Sequence, residues 1–364
     1  MIPFHVAEDE VIHGYMNCSS YVTMKQMSTL VPPILLLVGT LGNLLSLLVL
    51  TQESMRKLAV YNYLAVLSVA DTLVLYSGVF VEWLRDLYGY SISQPWLCKL
   101  NTVIRYTASQ YSVWIIVAVT VERYIAIAHT LRAVGFCTRR KAAIVMLTLF
   151  MVLLTLNGHT LFTATVKHYD ESTTNTTAHQ GNSIEYQCGF SNGTYIRDIW
   201  PWVDACFYSL LPFAVILSLN ILIIRSVHQS DRQRRTMGSI TSTDSNAAHR
   251  ESEAKLTRLL ITISFVFLLT TLPVNIAWLV QRKGHLTFNE PCKSSDIFLA
   301  VVIGRMLMYT NHSINFFLYL FSGIKFREKL FSMFSTVGGA LTARRHHVYG
   351  LAPSNCESNA TSTL

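Results

Sequence analysis

Apolar and polar residues follow one another along this chain in long blocks rather than in short-period stripes. Seven blocks, at approximately 29–51, 60–84, 100–127, 141–163, 199–226, 255–281 and 295–321, are predominantly apolar. A hydrocarbon core about 30 Å thick is crossed by roughly 20 such residues in a helix, so the pattern predicts seven membrane-spanning helices. The runs Pro33–Leu50 and Leu259–Val280 are the cleanest, whereas the third and seventh blocks are interrupted by charged and polar residues. Residues 1–28 are polar, include Glu8-Asp9-Glu10 and carry no visible cleavable signal peptide, so the first span is expected to act as an uncleaved anchor. The fold class that follows is an all-α membrane protein, a seven-helix bundle over residues 29–321.

Composition supports this and removes the alternatives. The 364 residues would suffice for two soluble domains. Only 14% of them are charged, against about 25% in soluble proteins, while 51% are hydrophobic and the mean hydropathy is +0.36. Such a surface is one that lipid covers. The net charge of +8 becomes informative once it is located. With the N-terminus outside, residues 52–59, 128–140, 227–254, the tail and the adjoining helix ends are cytoplasmic, and they hold 18 Lys/Arg against 7 Asp/Glu. The outer side holds 8 basic and 10 acidic residues. That asymmetry is the positive-inside signal. It orients the chain with its N-terminus on the outer side, and it leaves nothing for a nucleic-acid patch.

Three glycosylation sequons, at Asn17, Asn175 and Asn192, fall on the outer side and are candidate sites. Those at Asn311 and Asn359 fall in a span and in the tail, where no glycan is expected. Seven cysteines is an odd number and too scattered for a small disulfide scaffold. Cys18 and Cys292 both lie outside, and either form a bridge or remain two thiols. Cys137, Cys206 and Cys356 are in-membrane or cytoplasmic, where no bridge is expected.

The interruptions in the spans are regular. Cys98, Arg105 and Ser112 are seven residues apart and Arg123 follows eleven later, two and three helical turns that put all four on one stripe. Arg105 and Arg123 are separated by about 27 Å at 1.5 Å per residue, so they sit near opposite membrane faces. Asp71 and Glu82, eleven apart, are expected on one face of the second span. The seventh carries Arg305, Met308, His312, Asn315 and Tyr319 at steps of three and four. Charges in a membrane helix are costly and normally face the bundle interior.

These residues carry a resemblance to the rhodopsin-like (class A) G-protein-coupled receptors over roughly residues 29–335. The features are Gly42-Asn43 in span one, Leu67-Ser68-Val69-Ala70-Asp71 in span two, and Cys98 followed 25 residues later by Glu122-Arg123-Tyr124 in span three. Pro212, Pro273 and Asn315-Phe316-Phe317-Leu318-Tyr319 follow in spans five, six and seven. Phe321 to Phe326-Arg327 resembles the start of an amphipathic helix along the membrane surface, expected over 322–335 and followed by a disordered cytoplasmic tail, 336–364. The sequence departs from the family pattern in four places. Span four lacks its tryptophan, Thr271 stands where a tryptophan precedes the span-six proline, Phe316 replaces the span-seven proline, and Asn220 stands where lower span five carries a tyrosine.

The resemblance implies a bridge between Cys98 and Cys188, and a sodium pocket in which Asp71 and Ser112 coordinate the ion with Asn43, Asn311 and Asn315 nearby. Its alternative is a hydrated network around a protonated Asp71. It also implies a switch for a heterotrimeric G protein: Glu122 and Glu253 hold Arg123, with Tyr124, Asn315 and Tyr319 beside it. Arg105 stands where the family's amine receptors carry an Asp, so a biogenic amine lacks its counter-ion. Arg105 and Arg305 point inward near one depth, with Glu82, Asp204, Asn275, Trp278 and Tyr309 as neighbours. Two guanidiniums can clamp a ligand carboxylate or carbonyl, or Arg105 pairs with Glu82 and Arg305 with another acid as internal struts.

A cavity mixing both signs suits a short peptide better than a lipid. The segment from Leu131 to Ala142 resembles the second inner loop of thyrotropin-releasing-hormone and FMRFamide receptors, which implies a neuropeptide ligand. The alternatives are a small anionic or lipid ligand within the family or, outside it, a seven-span transporter or channel. No internal repeat supports the transporter, and no G-x-S-x-G, H-E-x-x-H, phosphate-binding Gly loop or C-x-x-C supports an enzyme. The His346-His347 pair has no further ligands nearby, and no other cofactor is indicated. The Ser/Thr-rich segments near Ser230–Ala248 and Ser354–Leu364 are expected to be disordered and open to receptor kinases and arrestin. Ser362-Thr363-Leu364 fits a C-terminus captured by PDZ domains.

Overall fold

The computed structural model describes residues 18–89, 92–129, 135–169, 185–190, 194–236, 244–284 and 291–335. The spans are α1 (Ser19–Leu50), α2 (Ala59–Tyr88), α3 (Pro95–Ala128), α4 (Arg139–Thr163), α5 (Thr194–Thr236), α6 (Asp244–Gly284) and α7 (Pro291–Ser313). Two shorter helices follow, α8 (Asn315–Ser322) and α9 over residues 324–335. Six helices are long and apolar enough to cross a membrane singly, and the seventh crossing is a pair, Cys292–Ser313 and Asn315–Phe321, bent by 53°. The protein is a multi-pass membrane protein.

Its radial pattern is that of a body immersed in lipid. On α1 the buried positions Pro32, Leu35, Gly39, Gly42, Asn43 and Ser46 recur at helical spacing. Leu30, Ile34, Leu37, Leu41, Leu44 and Leu48 form the opposite, exposed face. Large aliphatic side chains therefore point outward while Asn43, Asp71, Gln110, Ser112 and Asn157 are at most 1% exposed in the interior. In water this arrangement would be inverted.

Several helices outrun the apolar blocks. At 1.5 Å per residue α1, with 32 residues, is about 48 Å long, and it begins ten residues before the apolar block because Cys18 at its start is bridged to Cys292. The polar segment expected to be loop over 230–248 is helical up to Thr236 and again from Asp244. Residues 227–236 and 244–254 contain neither proline nor glycine, so nothing in the backbone stops the helices where the apolar side chains end.

Among the described residues, two segments form strands. Strands β1 (Ala164–Tyr169) and β2 (Glu185–Phe190) pair antiparallel with Val166 opposite Cys188, and Cys188 is bridged to Cys98 at the top of α3, with 5.6 Å between the Cα atoms. This hairpin marks the disulfide end of the bundle; Arg123 marks the other.

Two wide π-helical turns, Leu75–Phe80 in α2 and Cys206–Leu210 in α5, interrupt the regular ladder. Each carries a carbonyl taken by a side chain of α3: Asn101 Nδ2 donates to Ser77 O at 3.2 Å and Trp114 Nε1 donates to Phe207 O at 2.9 Å. The turn in α2 lies between Asp71 and Glu82, so their eleven-residue spacing no longer stacks one over the other. They belong to separate clusters.

The break in α7 falls at Ile314, two residues before Phe316, although no proline is present to force it. The bend is instead held from α1. Asn43 Nδ2 donates to His312 O at 3.1 Å, occupying a carbonyl that a continuous helix would offer to Phe316, and Ser313 Oγ donates to Leu35 O at 3.2 Å. Gly39 lets the helices meet, since a Cβ there would lie 3.2 Å from Ser313 Cα. On its other flank α7 touches α6 backbone to backbone: a Cβ at Gly304 would fall 2.7 Å from Val274 Cα and 2.8 Å from Val274 N.

Candidate functional site

Near the disulfide end, α2, α3 and α7 bring three charges together. Glu82 Oε1 accepts from Arg105 Nη1 at 3.2 Å, and its Oε2 lies 3.3 Å from Arg305 Nη1. The side chains are 12%, 18% and 25% exposed, so the cluster is partly open. One carboxylate thus serves two guanidiniums and the trio carries a surplus positive charge. Arg305 Nε is buried with no hydrogen-bond partner among the described residues. The expected Arg105–Glu82 pair is present, but Arg305 meets the same acid rather than another one.

Asp204 is not in that trio. It accepts from Gln110 Nε2 at 2.9 Å, while Gln110 Oε1 accepts from Asn157 Nδ2 at 2.8 Å, an amide chain running from α4 through α3 to α5. Asn275 donates to Ser209 Oγ at 2.8 Å and to Thr271 O at 2.7 Å, linking α6 to the wide turn of α5. Tyr309 is 4% exposed and its hydroxyl lies over Gly78, where a Cβ would approach it to 3.0 Å. The Trp278 side chain lies outside the described residues.

Mid-bundle, Asp71 is fully buried and both of its oxygens are taken. Oδ1 accepts from Ser112 Oγ at 2.6 Å and meets His312 Nδ1 at 2.7 Å, while Oδ2 accepts from Asn315 Nδ2 at 2.7 Å. Of the two remaining members of the expected ion site, Asn43 is engaged with the backbone of α7. Asn311 is 2% exposed, and its Nδ2 has no hydrogen-bond partner among the described residues.

At the other end, Arg123 Nη2 lies 3.4 Å from Glu122 Oε1, with both side chains under 10% exposed. Tyr124 stands edge-on to His129 at 5.8 Å. Tyr319 is 1% exposed and packs against Phe326 of α9 at 5.6 Å between ring centroids. Glu253 lies within α6, but its side chain is outside the described residues. So are Asn17, Asn175, Asn192, Cys356 and the tail.

This order of buried charges on seven spans, with Cys98 tied to the hairpin and Arg123 at the far end of the same helix, is matched by one sequence family. The profile described as 7 transmembrane receptor (rhodopsin family) covers residues 42–319. The chain belongs to this family. The receptor is 24% identical to the FMRFamide receptor of Drosophila melanogaster over 299 residues, 80% of this chain and 50% of that protein. It therefore spans only about half the length of that relative. It is 25% identical over 310 residues to the growth hormone secretagogue receptor type 1 of Sus scrofa, 82% of this chain and 78% of that one. Against the C-C chemokine receptor type 1 of Homo sapiens it is 25% identical over 314 residues, 84% and 79% of the two chains.

Membership makes this chain a receptor and not an enzyme. Where the receptor departs from the family pattern, the structure shows what stands in. Phe316, at the proline position, packs its ring 5.9 Å from Phe326. Thr271, at the tryptophan position, returns its hydroxyl to Phe267 O at 2.7 Å. The residues that sequence reasoning passed over are Gln110, Asn157 and Ser209, together with His312, which it placed on the inner stripe without a role. Asn157 is the one legible in hindsight, an amide at the end of an otherwise apolar block.

Proposed function

We propose that this receptor sits in the plasma membrane with its N-terminus outside, binds an extracellular peptide at the disulfide end and drives nucleotide exchange on a heterotrimeric G protein at the Arg123 end. The observation that carries the ligand reading is the shared Glu82. A buried charge is costly unless matched, and a ligand carboxylate or carbonyl supplies what the second guanidinium lacks. Arg305 is the receiving group, because its Nε is buried with no hydrogen-bond partner among the described residues. Asp204 on α5 and Asn275 on α6 supply a further acid and amide, a mixture that suits peptide backbone and side chains. The names of two relatives, an FMRFamide receptor and a C-C chemokine receptor, specify peptidic ligands and agree with this. The basic residues that flank the spans favour the stated orientation.

The test is a screen of free-acid and amidated peptides on cells expressing the receptor, reading calcium and cAMP. A response is expected, and Arg305→Gln should weaken its potency far more than Arg282→Gln near the end of α6. Equal effects of the two changes would return Arg305 to a structural role. The surplus charge equally suits a small carboxylate ligand, the second reading, which a response to such acids with none to peptides would favour. Arrestin, receptor kinases and a PDZ partner remain part of the proposal through the Ser/Thr-rich tail.

A further inference from the structure

The family resemblance implies a sodium ion beside Asp71, and the residues present can be tested for it. A hard cation is held by oxygen lone pairs, the carboxylate first among them. Here every group facing the carboxylate is a donor or shares a proton with it. Ser112 O–H and His312 Nδ1 meet Oδ1 at 2.6 and 2.7 Å, and the Asn315 amide nitrogen meets Oδ2 at 2.7 Å. Because a carboxylate only accepts and a carboxyl can only donate to a bare imidazole nitrogen, one proton lies between Nδ1 and Oδ1 in either assignment. That proton takes an Oδ1 lone pair that a metal would otherwise use.

His312 is enclosed in the bundle interior. Its side chain is 0% exposed, and its carbonyl is pinned by Asn43. Asn43 commits its amide nitrogen to the α7 break. Its Oδ1, like Asn315 Oδ1, is buried with no hydrogen-bond partner among the described residues, so amide oxygens remain while the carboxylate itself is taken by the imidazole. The pocket does not fit sodium.

We infer that His312 is the built-in partner of Asp71 in this receptor, closing from within the family's mid-membrane site, and that the receptor is indifferent to sodium. The imidazole ties α7 to α2 directly, so the partner that an exchangeable ion would provide is here a side chain of the receptor itself. Removing the ring should reopen the site. His312→Ser leaves a hydroxyl oxygen beside Asp71 and room for a cation.

The measurement is the unfolding temperature of the purified full chain in detergent, in sodium chloride and in choline chloride at the same ionic strength of about 0.15 M. The wild-type receptor should unfold at the same temperature in both salts. His312→Ser should unfold higher in sodium, by about 2 °C if the salt is some ten times the dissociation constant. The double variant His312→Ser/Asp71→Asn should lose that difference. A sodium-dependent rise in the wild type overturns the inference outright. A wild type and a serine variant that are both insensitive overturn the role given to His312. If the serine variant does not fold, His312→Asn, which also presents an oxygen, takes its place under the same two criteria. None of these outcomes depends on which ligand the receptor binds.

Discussion

Asn43 of the first span donates its side-chain amide to the carbonyl of His312 in the seventh, 3.1 Å away, at the turn where α7 breaks. In a chain without the family's proline, that hydrogen bond is what gives the freed carbonyl a partner. Asn43→Ala should leave a buried acceptor unsatisfied and lower stability by about 1–3 kcal/mol, read as a fall in unfolding temperature. Asn43→Asp should do no better, since a carboxylate cannot donate to a carbonyl. An unfolding temperature unchanged by the alanine would mean that Phe316 N–H recovers the bond and that α7 straightens without cost.

Gly304 sits where α7 meets the backbone of α6, and a methyl group there has only main-chain atoms to displace. Gly304→Ala should therefore destabilise by about 1–3 kcal/mol, the range for overpacking a close-packed interior. Ile303→Ala, one residue away and 39% exposed toward lipid, is the control and should have a much smaller effect. Similar losses at both positions would argue against a tight α6–α7 contact.

Glu82 holds two guanidiniums, so neutralising it should be worse than neutralising either arginine. Glu82→Gln strands both cations, and the cost should approach about 3 kcal/mol, somewhat below that of breaking a fully buried pair because water reaches the cluster. The double variant Glu82→Gln/Arg105→Gln should recover part of the loss. Thermal unfolding of the three proteins provides the comparison, and a double variant no more stable than Glu82→Gln alone would contradict the shared-acid account.

Arg123 pairs with Glu122 on its own helix. Under the proposed function, Arg123→Ala should abolish ligand-driven nucleotide exchange while surface expression persists. Glu253→Ala should raise basal signalling. Normal exchange from the first variant, or an unaltered baseline from the second, would remove the corresponding residue from the switch.

The long-wavelength features were the legible ones. Block lengths gave the number of spans, and the spacing of Arg105, Ser112 and Arg123 put them on one inner stripe, because helical periodicity is a property of sequence alone. What escaped depends on the backbone leaving that periodicity. The wide turn at Leu75–Phe80 rotates Glu82 away from Asp71, and no residue type in it announces the extra width. The break at Ile314 occurs without a proline because the compensating donor lies on another helix, some 270 residues earlier in the chain. The shared use of Glu82 by Arg105 and Arg305 is likewise a three-body fact. Spacing can show that charges face inward, but not how many of them reach the same oxygens. The reach of α5 and α6 past their apolar blocks was missed for a simpler reason: hydropathy reports the membrane, and a helix continues until a backbone cause ends it.

The first and last spans are fastened from the disulfide end to the middle of the bundle. The Cys18–Cys292 bridge and the contact of Ser20 with Asp296 hold one end, and Ser313 to Leu35 and Asn43 to His312 hold the middle. Gly39 brings the backbones together between them. A pair riveted in this way moves as a single mast. Any tilting that ligand binding imposes on the bundle is then accommodated across the circle, where α5 and α6 touch only sparsely among the described residues.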